Sequence, residues 1–148
     1  MIMKKHVLVV TMTLFVSLSS FAQDISEAQV PPVVLNAFKK NFQTATDMEW
    51  KVKGANYEVD FEIGKADHEV QYDATGKVLK HKQDIQQSDL PASINSVIAK
   101  DFKGYDASHV KRIQNGNSIT YKVDLKRGTD KWEVTFDEAG TVLAKEPD

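Results

Sequence analysis

The chain states one pattern twice. Shifted by 64 residues, Tyr57-Glu-Val-Asp60 lies on Tyr121-Lys-Val-Asp124, Glu69-Val70 on Glu133-Val134, and Asp73-Ala-Thr-Gly76-Lys-Val-Leu79 on Asp137-Glu-Ala-Gly140-Thr-Val-Leu143. Counting Gly64 over Gly128, ten of the 23 positions from Tyr57 to Leu79 are identical, far above coincidence. An internal duplication has to be recognised before any fold is assigned, because one small unit then builds the whole molecule.

The first 22 residues read as an address. Met1-Ile-Met-Lys4-Lys5-His6 is a basic start, Val7 to Leu18 an apolar run, and Ser20-Phe21-Ala22 a small-x-small cleavage signal, so cleavage is expected after Ala22. The apolar run is shorter than the roughly 20 residues that cross a bilayer, so no membrane anchor is expected after cleavage. No cysteine follows it as a lipid-attachment site. The expected organisation is a signal peptide over 1–22, a first repeat over 23–86 and a second over 87–148.

Without Lys4 and Lys5 the mature chain carries 17 basic and 21 acidic residues, a formal charge of −4. That balance excludes nucleic acid as the expected partner, since phosphate binding needs clustered cations. With no cysteine there is no disulfide, thiolate nucleophile or thiolate metal site. Stability must come from burial, and a unit of about 60 residues is marginal alone, so the two units are expected to share a core or a sheet edge.

Each copy opens on a proline-marked helix. Val34, Ala37, Phe38 and Phe42 follow Pro31-Pro32 at helical spacing, and Ile94, Val97, Ile98 and Phe102 follow Pro91 in the same way. Ser88 and Asp89 suit the N-terminal end of the second helix. The period then changes to two: Tyr57, Val59, Phe61 and Ile63 alternate with Glu58, Asp60 and Glu62, and Ile119, Tyr121, Val123 and Leu125 with Thr120, Lys122, Asp124 and Lys126. His68, Val70 and Tyr72 match Trp132, Val134 and Phe136 as inward residues of the next strands. Short leading strands are expected at Met48 to Val52 and His109 to Ile113, and final strands at Lys77 to Lys82 and Thr141 to Lys145. Asp73-x-x-Gly76 and Asp137-x-x-Gly140 are tight turns. Asn115-Gly116-Asn117 is another hairpin signal, near the four residues that the second copy has gained. Gln83 to Ser88 reads as a polar linker. The expected fold is therefore α+β, a tandem repeat of a helix followed by a 3–4-stranded antiparallel sheet, with the two halves packed into one compact body.

This order of marked helix, alternating strand pair and D-x-x-G hairpin, stated twice, resembles the β-lactamase-inhibitor-like, PepSY-like family of secreted bacterial proteins. Pro31/Pro91, Phe42/Phe102, Tyr57/Tyr121 and the two D-x-x-G turns carry the resemblance. It implies a helix packed on an antiparallel sheet in each half, and an envelope or extracellular location. The inhibitor that lends the family its name relies on disulfides, which this chain cannot form, and no inhibitory loop is matched here.

For function, Glu58, Asp60 and Glu62 share one strand face, with Glu49, Glu69 and Asp73 as expected neighbours. Carboxylates at this spacing suit glycosidases only inside a cleft that shifts one pKa, so a solvated face is the reading taken. Of the four histidines, His6 leaves with the signal and His68, His81 and His109 form no ligand cluster in sequence. Trp50 and Trp132 read as core or as interface residues. Ser93 and Ser96 lie on a helix without a base, and no phosphate loop, nucleophile elbow or H-E-x-x-H helix occurs. No cofactor, catalytic residue or metal ligand is assigned.

The chain reads as a non-enzymatic periplasmic or secreted binding module that engages an envelope or secreted protein or peptide through a polar sheet face. The expected contacts are Glu58, Asp60, Glu62, Lys122, Asp124 and Lys126, with Asn115 and Asn117 on a protruding hairpin. Two alternatives stand beside it: an inhibitor of a secreted hydrolase, either peptidase or β-lactamase-like, and a weak cation or small-ligand binder.

Overall fold

The computed structural model describes residues 21–148, so residues 1–20 of the expected signal peptide lie outside the described residues. Strand β1 (Gln23–Ile25) leads through a 3-10 turn at Glu27–Gln29 into helix α1 (Pro32–Asn41), then β2 (Thr46–Lys53), β3 (Asn56–Ile63), β4 (Ala66–Tyr72) and β5 (Val78–Asp84). A second 3-10 turn at Gln87–Asp89 precedes α2 (Ala92–Asp101), β6 (Asp106–Asn115), β7 (Ser118–Arg127), β8 (Asp130–Asp137) and β9 (Val142–Pro147). Pro32 occupies the first turn of α1, where its missing N–H would have had no partner. Ser88 and Asp89 sit in the 3-10 turn and not at the start of α2; there the Asp89 carboxylate accepts from the Gln86 N–H at 3.1 Å.

The expected pair of small helix-and-sheet halves is not what forms. All nine strands make one antiparallel sheet in simple sequence order, β1 to β9. The joining strand is β5, which pairs with β4 from His68↔Gln83 to Tyr72↔Val78 and with β6 from Asp84↔Lys111 to Lys80↔Asn115. Gln83 and Asp84, read from composition as linker, are thus ladder residues, and the pairing runs on through Ile85 N–H to the Val110 carbonyl at 2.9 Å. A unit this small would leave two hydrogen-bonding edges and a thin core; pairing β5 on both sides removes two of those edges.

One face of the sheet carries both helices. Val34 and Phe38 of α1 meet Trp50, Val59, Phe61, Val70 and Tyr72 in one hydrophobic cluster, while Ile94 and Ile98 of α2 meet Val110, Tyr121, Val123, Leu125, Val134 and Phe136 in another. Val34, Val59, Val70, Tyr72, Ile94, Val123, Val134 and Phe136 are fully buried, and burial of each valine, isoleucine or phenylalanine side chain among them contributes about 1.5–3 kcal/mol. The D-x-x-G turns dock on the helices. Gly140 has φ +86°, and a Cβ there would lie 2.9 Å from the Ser93 carbonyl oxygen; at Gly76, φ +84°, it would lie 3.0 Å from that of Val33. Asp137 Oδ1 accepts from the backbone N–H of Ala139 and Thr141, each at 2.9 Å, which fixes the turn.

The four residues gained by the second copy lengthen its first hairpin. Strands β2 and β3 have eight residues each and β6 and β7 ten, so each strand gains two. Both leading strands are longer than the short ones expected, and each contains a bulge with a non-glycine residue at positive φ, Asp47 at 53° and His109 at 44°. At the outer edges, β1 covers β2 over three residues only, Gln23↔Val52 to Ile25↔Trp50. On β9, Asp148 N–H donates inward to Lys131, so the preceding Pro147 turns its proton-less nitrogen to the free edge.

Candidate functional site

The helix-free face of the sheet is a lattice of alternating charge. Cross-strand pairing aligns Lys51, Glu58 and Gln71, then Glu49, Asp60, Glu69 and Lys82, then Glu62 and Asp67. Toward the other edge it aligns Asp84, Lys111 and Lys122, with Asp124 beside Glu133. Lysines answer most of the acids: Lys51 Nζ donates to Asp60 at 2.5 Å, Lys53 to Glu58 at 2.9 Å, Lys82 to Glu69 at 2.6 Å, Lys111 to Asp84 at 3.1 Å and Lys122 to Glu133 at 2.5 Å. His109 Nδ1 lies 2.9 Å from Asp124. The hydrogen bond to Asp60 holds Lys51, and that to Glu58 holds Lys53, above the usual lysine range. Burial pushes the Glu69 carboxyl up, but the bond from Lys82 and the surrounding lysines outweigh it and keep it below the usual range.

Six of the residues expected to bind, Glu58, Asp60, Glu62, Lys122, Asp124 and Lys126, share this face, on β3 and β7. Three intervening strands separate the two groups, so they stand roughly 19 Å apart and form two patches. Asn115 closes the hairpin ladder opposite Ser118, with Gly116 and Asn117 in the turn. Glu58 departs from the expectation of a solvated carboxylate, being only 5% exposed. It stands between Lys51 and Gln71 across the strands and is tied to Lys53. Asp73 is not a neighbour of the cluster; its Oδ1 accepts from Thr75 N–H at 2.8 Å and Lys77 N–H at 3.1 Å within its own turn.

Glu58, Asp60 and Glu69 bring carboxylate oxygens within 4.8 Å of one another, the arrangement in which a cation could be held. Each of the three already carries a lysine, so an ion would have to displace three ammonium groups. Beyond this cluster the face opens into a depression of about 410 Å³ where Asp47, Glu49, Glu62 and Asp67 join Asp60, Glu69 and Asp84 around Lys82 and Lys111. Among the described residues Asp47, Glu49, Glu62 and Asp67 make no ion pair, so one end of the face is a patch of uncompensated negative charge.

Sequence reasoning missed two aromatic assemblies on the helix-bearing face. Lys145 Nζ sits 3.9 Å from the centroid of Trp132 and 5.6 Å from that of Phe102, a cation held between two rings. At the corresponding positions of the first copy stand His81, His68 and Phe42: the imidazoles stack at 5.3 Å, with His68 Nδ1 3.0 Å from His81 Nε2, and His81 lies edge-on to Phe42 at 5.4 Å. Burial lowers both imidazoles, His81 to about 4, where the His68 and Arg112 charges add to it. The spacing of His68 and His81 in sequence hides their contact, which only the β4–β5 register creates. Trp50 is core, packed edge-on against Phe38 at 5.3 Å. Ser93 has a structural role, donating from Oγ to the Glu138 carbonyl at 2.6 Å, and Ser96 donates to the Ala92 carbonyl at 2.8 Å.

Among the described residues no helix is long and apolar enough to cross a membrane. No curated protein matches the sequence. Similar solved structures include a BLIP-like protein from Bacteroides fragilis, 23% identical, covering 78% of this chain and 84% of that one, with a TM-score of 0.63. A DUF2874 family protein from Bacteroides uniformis is 20% identical, covers 79% and 88% of the two chains and has a TM-score of 0.66. A Bacteroides eggerthii protein, described provisionally as periplasmic, is 22% identical, covers 80% and 88%, and has a TM-score of 0.67. At these identities the likeness is one of fold. The family model described as "Putative beta-lactamase-inhibitor-like, PepSY-like" matches twice, over residues 17–80 and 55–144, and the chain belongs to that family.

Proposed function

We propose that the protein is a non-enzymatic binding module of the cell envelope, which engages a basic segment of a partner protein through the helix-free face of its sheet. The observation that carries this reading is the acidic depression on that face, where Asp47, Glu49, Glu62 and Asp67 are left without counter-ions beside a lattice of neutralised pairs. Neutralised lysine–acid pairs add little affinity but set register, whereas uncompensated charge attracts an opposite partner and speeds its encounter. Glu58 contributes by fixing Lys53 and not by direct contact. The patch of Lys122, Asp124 and Lys126 would orient the partner along the sheet.

The test is cross-linked capture from the host's envelope fraction with the native protein and with a Glu49→Lys/Glu62→Lys/Asp67→Lys variant, followed by affinity measurement on the purified pair. The expected result is one partner lost with the variant, an affinity at least tenfold weaker, and binding that weakens with salt. Equal capture by both proteins would overturn the reading. The family description supports a second reading, in which the partner is a secreted hydrolase held inactive. Stoichiometric loss of the captured protein's activity on titration distinguishes it from simple sequestration.

A further inference from the structure

Between the two hydrophobic clusters, on the face that carries the helices, the sheet presents a polar strip. Register places Gln83 opposite both His68 and Arg112, and His81 opposite Gln114, so five hydrogen-bonding side chains from β4, β5 and β6 stand together. All five are half-buried. Arg112 is the strip's only fixed charge, and among the described residues no carboxylate lies within ion-pair distance of it. Its two terminal nitrogens share one neutral acceptor, Gln114 Oε1, at 3.3 Å each. A half-buried guanidinium bonded only to an amide oxygen leaves most of its five donors without an anionic acceptor. Beside the strip, an open depression of about 480 Å³ has His68 and Gln83 in its wall, between Ile63 and Ile85. Of the two acids on its rim, Asp84 is paired with Lys111 at 3.1 Å and Asp89 accepts from the Gln86 N–H at 3.1 Å, and Lys65 lines the same rim.

We propose that this strip is a seat for a carboxylate, with Arg112 as its charged anchor and the Gln83 amide and the His81 imidazole as further donors. It lies on the opposite side of the sheet from the acidic face and does not depend on that face's function. Planar carboxylate matches the guanidinium fork, and the amide and imidazole protons supply donors at its flank. The groups facing His81 are His68 from β4, Arg112 from β6 and the uncharged Phe42 at the end of α1; Asp67 and Asp84 act on His68. A bound anion would offset the Arg112 charge that disfavours the imidazolium, so binding takes up a proton and tightens as pH falls.

The experiment is a nuclear magnetic resonance titration of the purified protein with N-acetylglycine, following the His81 ring and the Arg112 side chain, with chloride at equal ionic strength as control. The expected result is a saturable shift absent with chloride, a rise in the His81 pKa, and binding at least tenfold weaker in Arg112→Gln with partial recovery in Arg112→Lys. An unchanged melting temperature establishes that the variants are folded. A short peptide bound more tightly with a free C-terminus than N-acetylglycine identifies a chain terminus as the source, and equal binding identifies a small carboxylic acid. Linear shifts equal to those with chloride, an amidated peptide bound as well as the free acid, or full affinity in Arg112→Gln would overturn the proposal.

Discussion

At the scale of single residues, Glu58 shows how an alternating strand can bury a charge on its wet face. Lys53 is its direct partner, and Lys53→Met leaves the carboxylate covered without a counter-ion. The expected cost is about 1–3 kcal/mol, read from urea denaturation, with most of it recovered in Lys53→Met/Glu58→Gln. Calcium at millimolar concentration is expected not to move the melting temperature, because lysines already hold the three clustered acids; a shift of several degrees would show a cation site instead. His81 gives a dependence on pH. Its folded pKa of about 4 lies below the 6.5 of a free imidazole, so the unfolded chain binds the extra proton and stability falls as pH drops from 6.5 toward 4. Allowing for the solvent screening of a half-exposed group, this amounts to about 1–2 kcal/mol, and His81→Gln should flatten that part of the curve.

At the scale of elements, the duplicated motif was legible because its residues obey local rules: proline opens the helices, period two marks β3, β4, β7 and β8, and Asp and Gly shape the turns. The Asp-x-x-Gly turn also serves as a docking point, since Gly140 brings the β8–β9 turn against the backbone of α2. Gly140→Ala adds a left-handed alanine costing about 1–2 kcal/mol and a clash with the Ser93 carbonyl on top of it, so a loss above 2 kcal/mol is expected in thermal unfolding. The end of β5 was not legible. Lys80, Lys82 and Asp84 face the charged lattice, and His81 and Gln83 face the polar strip, so the strand shows no apolar period on either side. The strand expected from Lys77 to Lys82 covers most of β5, and only Gln83 and Asp84 are added to it by backbone pairing with its neighbours, which composition does not record. The same blindness hid the His68–His81 contact and the position of Arg112, set by the register of β4 on β5 and of β5 on β6.

At the scale of the whole molecule, a sheet that grows by adding strands needs a way to stop. On β9, Pro147 stands where Gln83 stands on β5, and its missing N–H removes a donor that the next strand would use. Pro147→Gln should promote end-to-end association, visible as concentration-dependent growth in sedimentation velocity, while the native protein stays unchanged over the same range. The asymmetry of the sheet matters more for function: one face is covered by α1 and α2, and the other is mainly charged and uncompensated at the end where Glu49, Glu62 and Asp67 meet. The choice between faces can be measured directly by placing a photo-crosslinking residue at Glu62 on the bare face or at Ala99 on α2 and recovering adducts from the envelope of living cells. Adducts with a single partner from position 62 and none from position 99 are the expected result. The same partner recovered from position 99 alone would contradict the assignment of the bare sheet face as the binding surface.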